Sequence, residues 1–412
     1  MLSNPAYLQV FEHQVLRIDK LLFRQEHLNI LSQYQEQAGQ RYFSLVHQGV
    51  KFKQYVGVLQ VGNLTIEILP KTDQYDSPQY WQQFLLDLLH QCQVLPTATQ
   101  TIAPLQLENG SLLHWYIDIL VQSVEQLFRQ GLQKNYQQVA QNSPTWKGRI
   151  NFAKQIKQQA QLSTKVATIS QQYSYQSTSH QVILAALKII APWANKASLQ
   201  HRIQYLIQQF PKQSKGYISE TLLEQLPDYS PTHPYYFPLQ LSKMIIRQHR
   251  PSLRAGQFAL LALVFDMNQL FEQWIGQQLT QHLPAGCQIH FQHSRTFWQQ
   301  KKLRPDIWIQ KGKQNYILDT KWKVLQKPQP SDEDLRQIYA YNHNFEATKS
   351  LLIYPDVFGW GKQQAGTFSA PLWVAGQAQP HQCELVFIPI IDPKGQLSTQ
   401  IANTIWQALA LE

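Results

Sequence analysis

Only three cysteines occur in 412 residues, and Cys92, Cys287 and Cys383 lie far apart. That excludes a disulfide framework and any CxxC zinc pair, and it suits a reducing compartment. Long apolar runs are missing too. The longest, 258–265 and 182–191, are too short or interrupted to span a bilayer. The first residues carry no basic segment followed by an apolar one, so no secretory signal is visible and a cytoplasmic location without membrane contact is expected. No GxxxxGK[ST] phosphate loop occurs, so no nucleotide-driven motor is evident in the chain itself. Acids are scarce: 26 Asp and Glu face 36 Lys and Arg, a formal charge of +10.

Two things are plentiful. Eleven Trp, 19 Tyr and 18 Phe rule out disorder throughout, because a disordered chain lacks the apolar surface that offsets ordering entropy. The 64 glutamines are spread along the chain instead of forming a prion-like tract, and composition bias is the plain account of them. The length predicts two or three domains. The charge is uneven: up to Arg250 there are 22 bases against 14 acids, and beyond it 14 against 12. Between Glu125 and Glu220 no acid occurs, while 12 bases do, among them Arg129, Lys147, Arg149, Lys154, Lys157 and Lys215. Such a segment draws in polyanions, with nucleic acid the commonest; scattered solvated helix faces are the alternative.

The organisation predicted is β-rich from 1 to about 95. There, apolar and polar residues alternate on both sides of Gly62-Asn63, a hairpin signal. Helices are expected to dominate from about 80 to 207, notably over 81–89, 112–132 and 181–193, with a turn and short strand at 143–152. Pro231, Pro234 and Pro238 predict an extended connector. From about 256 the order predicted is α/β. A helix over 257–282 precedes a strand at 288–292 and two strands at 303–310 and 314–322 around Gly312. A helix capped by Ser331 and Asp334 then runs to about 345, before strands at 350–354, 372–374 and 385–391 and a terminal helix from Ser398.

The chemistry concentrates in residues 304–323. If the hairpin turns between Gly312 and Lys313, position 306 faces 319, and opposed side chains sit roughly 4.5–5.5 Å apart at Cβ. Asp306 and Asp319 then share a face, Trp308 opposes Ile317, and Lys321 joins that face by alternation. Two close carboxylates repel unless a cation or proton neutralises them, and hard oxygen ligands with room for water suit Mg²⁺ better than zinc. A lysine beside such a cation can orient or deprotonate water and stabilise charge on phosphate, so metal-assisted phosphodiester hydrolysis is one reading. From spacing alone, a surface charge cluster on an edge hairpin is an equal one. The apolar residues before Asp319 and Trp322 after Lys321 favour function, since charges interrupting a buried strand are costly. Glu272 can add a third carboxylate from the preceding helix, and Gln337 and Tyr341, four apart, share a helix face toward substrate.

Pro305-Asp306, twelve residues, then Asp319-Thr320-Lys321 resembles the PD-(D/E)XK nuclease signature. Glu272 is similar to the acid often found on its preceding helix, and Gln337 through Tyr341 resembles the QxxxY element of RecB-like members. More narrowly, the stretches 57–71, 147–150, 265–272 and 305–321 resemble McrC, the nuclease subunit of McrBC modification-dependent restriction systems. The resemblance implies an α/β (α+β overall) chain: a β-rich, partner-docking amino-terminal domain (1–95), a mainly helical basic region (96–255) and a PD-(D/E)XK domain (256–412). It implies Asp306 and Asp319 as Mg²⁺ ligands, with Mn²⁺ a substitute, and Lys321 as the water- and phosphate-positioning catalyst. Glu272 becomes an accessory acid, and Gln337 and Tyr341 substrate contacts. Its expected partners are an McrB-like AAA+ GTPase hexamer, whose GTP hydrolysis it stimulates, and double-stranded, modified DNA. A reading of another class is a non-catalytic adaptor or DNA-binding module that activates a partner NTPase. His290 with His293, and His343 between Asn342 and Asn344, lack the companion ligands of a zinc or HNH site. Trp146 and Trp360 are more simply loop anchors than base-stacking platforms.

Overall fold

Gly62, at φ 61°, and Asn63 reverse the chain between strands Tyr55–Val61 and Leu64–Leu69, which pair antiparallel from Gly57↔Ile68 to Val61↔Leu64. This is the expected hairpin, and glycine takes the positive φ of its turn without steric cost. Strand Ala6–Phe11 joins it in parallel. Both hairpin strands are buried almost throughout, not on one face alone, because helices Gln25–Ala38 and Pro78–Gln91 pack against them. The computed structural model describes residues 6–19, 21–38, 41–70, 78–92, 111–158, 165–194, 196–211, 218–250, 260–361, 365–374, 376–392 and 396–411. Lys71, Lys215 and residues 257–259, which the sequence reading used, lie outside the described residues.

Two compact units result, Met1–Leu95 with Val264–Glu412, and Pro96–Leu263. The expected first segment and nearly all of the third therefore fall in one unit, and the middle segment in the other. By itself, the Pro96–Leu263 unit holds helices Leu112–Gln130, Thr178–Ile190, Ala197–Gln209 and Tyr236–Gln248. It is not only helical: Asn135–Ser143, Val166–Ser174 and Arg149–Ile150 form an antiparallel sheet. The glutamine-rich strands have little apolar alternation, so no strand pattern marks them in the sequence. Gly148 has φ +81°, and a Cβ there would lie 2.3 Å from the Ile169 carbonyl oxygen. Pro238, expected in an extended connector, instead sits buried in the first turn of Tyr236–Gln248, where a missing N–H breaks no helical bond. Arg202 pairs with Asp118 and Glu125 at 2.8 Å each, so acids upstream neutralise part of the acid-free segment.

In the other unit, six strands are ordered Cys287–Phe291, Ile307–Lys311, Gln314–Thr320, Ala347–Pro355, Gln382–Ile388 and Gly366–Thr367. The first three pair antiparallel, the third to fifth parallel, and the last antiparallel: a mixed α/β sheet. The helix expected to open at 257 starts only at Met267, and Leu260–Asp266 is a strand. A continuous apolar run fits a buried strand as well as a buried helix, so periodicity cannot separate them. Asp266 marks the change by accepting from the Asn268 N–H at 3.0 Å as N-cap of Met267–Gln281. Helix Asp332–Phe345 starts where expected, with Ser331 Oγ accepting from Asp334 N–H at 3.2 Å. Its Ile338, Tyr341 and Phe345 pack with Trp308, Ile317 and Leu352 of the sheet, and this core fixes the helix beside the hairpin.

Candidate active site

Lys311↔Gln314 and Trp308↔Ile317 are cross-strand partners, and Ile307↔Leu318 is the last pair. The register is the expected one, and it brings residue 306 beside 319. Asp306 precedes its strand and hooks onto the opposite one: Oδ2 accepts from Thr320 N at 2.7 Å and Thr320 Oγ1 at 2.9 Å. Asp319 is 2% exposed, and its Oδ2 is 2.7 Å from Lys321 Nζ. Lys321 extends the parallel ladder through its N–H to the Ile353 carbonyl at 2.9 Å. The ammonium also donates to Gln337 Oε1 at 2.9 Å; Gln337 Nε2 donates to Tyr341 OH at 2.7 Å, and Tyr341 OH to the Arg304 carbonyl at 3.0 Å. A closed relay thus runs from Lys321 through the helix to the backbone just before Pro305-Asp306.

Glu272, on Met267–Gln281, reaches the same place. The Gln292 side-chain amide donates to Glu272 Oε1 and lies 3.5 Å from Asp306 Oδ1. Glu272, Asp306, Asp319, Lys321, Gln337 and Tyr341 all line one cleft of ≈ 1120 Å³ with Arg304, Thr320, Gln292 and Phe291. The structure therefore brings all six sequence-derived residues together. Among the described residues, no three carboxylate, histidine or cysteine side chains are grouped closely enough to hold a cation by themselves.

The cleft is electrostatically loaded. Burial, then the charges of Asp306 and Asp319, push the Glu272 carboxyl up to about 7, against relief from Gln292. Burial and Asp306 push Asp319 up to about 6, although Lys321 opposes this. Burial alone would depress the Lys321 ammonium, but Asp319, Asp334 and Asp306 outweigh it and hold the pKa above its ordinary value. The lysine stays charged at neutral pH. Concentrated negative charge beside one fixed ammonium can accept a cation and a phosphate together.

Four neighbours escaped the sequence reading. Gln292 bridges the two acids and has φ 50°, a left-handed conformation uncommon for glutamine. Thr320, inside the Asp-x-Lys triplet, fixes Asp306. Asp334, read only as a capping residue, accepts from Lys323 at 2.6 Å and Tyr354 OH at 3.2 Å, and lies 3.9 Å from Lys321. Burial pushes its carboxyl up, but Lys323 and Ser331 outweigh that and hold it below the usual range. Arg304 lines the cleft. Arg304, adjacent to Pro305-Asp306, and Thr320, inside Asp319-Thr320-Lys321, carried a sequence signal; Gln292 and Asp334 depend on tertiary packing.

His290, His293 and His343 form ring contacts. His290 and His293 pack on Trp308 at 4.6 and 5.0 Å, and His343 lies 5.2 Å from His381. Trp146 is 70% exposed with its N–H on the Gly148 carbonyl, whereas Trp360 packs on Phe387 at 5.0 Å. No described helix is long and apolar enough to cross a membrane.

No curated protein matches the chain. A chain of the refined half-complex from the tetradecameric assembly of Thermococcus gammatolerans McrB AAA+ hexamers with bound McrC is similar over 98% of this chain and 99% of its own. The TM-score is 0.71 at 16% identity. A chain of the cryo-EM structure of the Thermococcus gammatolerans McrBC complex is similar over 68% of this chain and 88% of its own, with a TM-score of 0.52 and 16% identity. These likenesses are of fold. The family model described as McrBC 5-methylcytosine restriction system component matches residues 50–355, a span containing all six sequence-derived residues of the cleft. The chain belongs to the McrBC 5-methylcytosine restriction system component family.

Proposed function

We propose that the chain is the McrC-type nuclease subunit of such a system, a Mg²⁺-dependent endonuclease acting on double-stranded, modified DNA. It stimulates a partner McrB-like AAA+ GTPase hexamer. One observation carries the reading: Asp306, Asp319 and Lys321 meet Glu272, Gln337 and Tyr341 in a single cleft of the family-matched span. One solved structure of similar fold is described as McrB AAA+ hexamers with bound McrC and the other as an McrBC complex, and that association supports the partner.

The residues fit a Mg²⁺ ion. This cation characteristically takes one or two carboxylates and completes its shell with water and substrate oxygens, so two aspartates suffice. Burial of Asp319 and its repulsion by Asp306 leave an excess of negative charge that a cation would relieve. Asp306 and Asp319 would hold the ion; Mn²⁺ takes similar oxygen ligands. When bound, it supplies a polarised phosphate oxygen and a water of lowered pKa. Lys321, held by Asp319 and Gln337, points a fixed positive charge at the attacked phosphate and orients water. Its raised pKa suits it to charge stabilisation more than to proton abstraction. Glu272, at about 7, can take up a proton at neutral pH. Tyr341 and Gln337 keep the lysine in line and border the cleft on the substrate side.

The test combines the full chain with its partner GTPase, GTP and DNA carrying 5-methylcytosine. Cleavage is expected with Mg²⁺ or Mn²⁺ and none with EDTA. A chain that raises GTP turnover under these conditions but never cuts is an adaptor, and the nuclease reading fails.

A further inference from the structure

Immediately before the cleft, strands Arg295–Trp298 and Lys301–Leu303 form a separate two-stranded hairpin. Its base is fixed. Arg295 lies over the rings of Trp308 and Phe345 at 4.6 and 4.7 Å and donates to the Asn344 carbonyl at 3.2 Å. Asn344 in turn donates to the Thr296 carbonyl at 3.4 Å. The tip is not buried: Phe297 is 56% and Trp298 58% exposed, beside exposed Lys301 and Lys302. The pairing register shifts between Thr296 and Trp298, and Gln299 turns the chain at φ 47°.

Two large adjacent aromatics left in water mark a contact surface. Charge selects the occupant. From 292 to 305 there is no acid, whereas Arg295, Lys301, Lys302 and Arg304 are basic. The strand then runs directly into Arg304 and Asp306, which line the cleft. At about 3.3 Å per residue, Lys301 lies roughly 10 Å along the chain from Arg304, the rise of about three base pairs. Resting on the nuclease reading above, we propose that this hairpin is a second contact for the double-stranded DNA being cut. Lys301 and Lys302 meet phosphates, and Phe297 and Trp298 pack against deoxyribose beside the scissile bond. The lysines supply charge without sequence information, and the aromatics supply apolar contact that tolerates any sequence.

Binding of a random-sequence DNA duplex to the full-length chain, read by fluorescence anisotropy in EDTA, tests this without requiring cleavage. K301E/K302E is expected to weaken binding about tenfold or more and to lower the slope of log affinity against log salt by about two. Phe297→Ala with Trp298→Ala is expected to weaken binding several-fold with the slope unchanged, and K301R/K302R to bind as the wild type. Unchanged melting temperatures show that the variants fold. Wild-type affinity and salt slope in both K301E/K302E and the double alanine variant overturn the proposal, and the surface then belongs to a protein partner. The two readings fail separately. A chain that binds through the hairpin but never cuts sinks the nuclease reading alone, and one that cuts and binds normally without the hairpin side chains sinks this one alone.

Discussion

At the scale of single residues, the charges of the cleft are incompletely neutralised. Asp319 and Glu272 have folded-state values of about 6 and about 7, above those of free carboxyls, with burial the largest cause. The sign follows. A carboxyl whose pKa rises on folding favours the folded state when protonated, so the metal-free protein loses stability from these groups as pH rises through about 6 and about 7. Cation binding runs the other way, because protons compete with the cation for Asp319 and neutralise the Glu272 charge beside it. The rise in melting temperature on adding Mg²⁺ is expected to be full at pH 8 and to fade as pH falls through about 7 and about 6, as scanning fluorimetry can record. A Mg²⁺ effect independent of pH across that window contradicts the assignment. Asp306, Asp319 and Lys321 were legible in the sequence because a two-residue turn and strand alternation leave one register for them. Gln292 and Asp334 were not: what brings Gln292 into the cleft is contact with Glu272, and what brings Asp334 beside it is contact with Lys321, each on another element.

At the scale of elements, local rules succeeded where turn chemistry or capping dictates the boundary. Gly62-Asn63, Gly312 and Ser331 each stand where a hairpin or helix was expected. They failed where apolar content has no period, at Leu260–Asp266, and where strands are rich in glutamine, at Asn135–Ser143 and Val166–Ser174. Gly148 explains one motif by backbone geometry. Its φ of +81° and the 2.3 Å approach of the Ile169 oxygen leave no room for a Cβ. Gly148→Ala is therefore expected to cost about 1–3 kcal/mol in that sheet, measured as a lower denaturation midpoint and faster proteolysis between Asn135 and Ser174. Wild-type stability in that variant would show that the glycine is dispensable.

At the scale of the molecule, fold class and family were legible, but the grouping of segments was not. The first 95 residues and those from Val264 onward form one unit through non-local packing, such as the 2.7 Å bond from Trp322 Nε1 to Glu12. No local pattern announces a contact across so long a loop. That packing also sets Trp322, the residue after Lys321, against Phe84 and Phe271, so the chain leaving the Gln314–Thr320 strand is braced from both ends of the sequence. The central claim is that cutting resides in this cleft while partner activation is a separable property of the chain. The most direct measurement is Asp319→Ala combined with the partner GTPase, Mg²⁺, GTP and 5-methylcytosine DNA, with cleavage and GTP turnover read from one reaction. Cleavage at least about 100-fold below wild type, with GTP stimulation unchanged, is the result this account predicts. Wild-type cleavage by Asp319→Ala would contradict it.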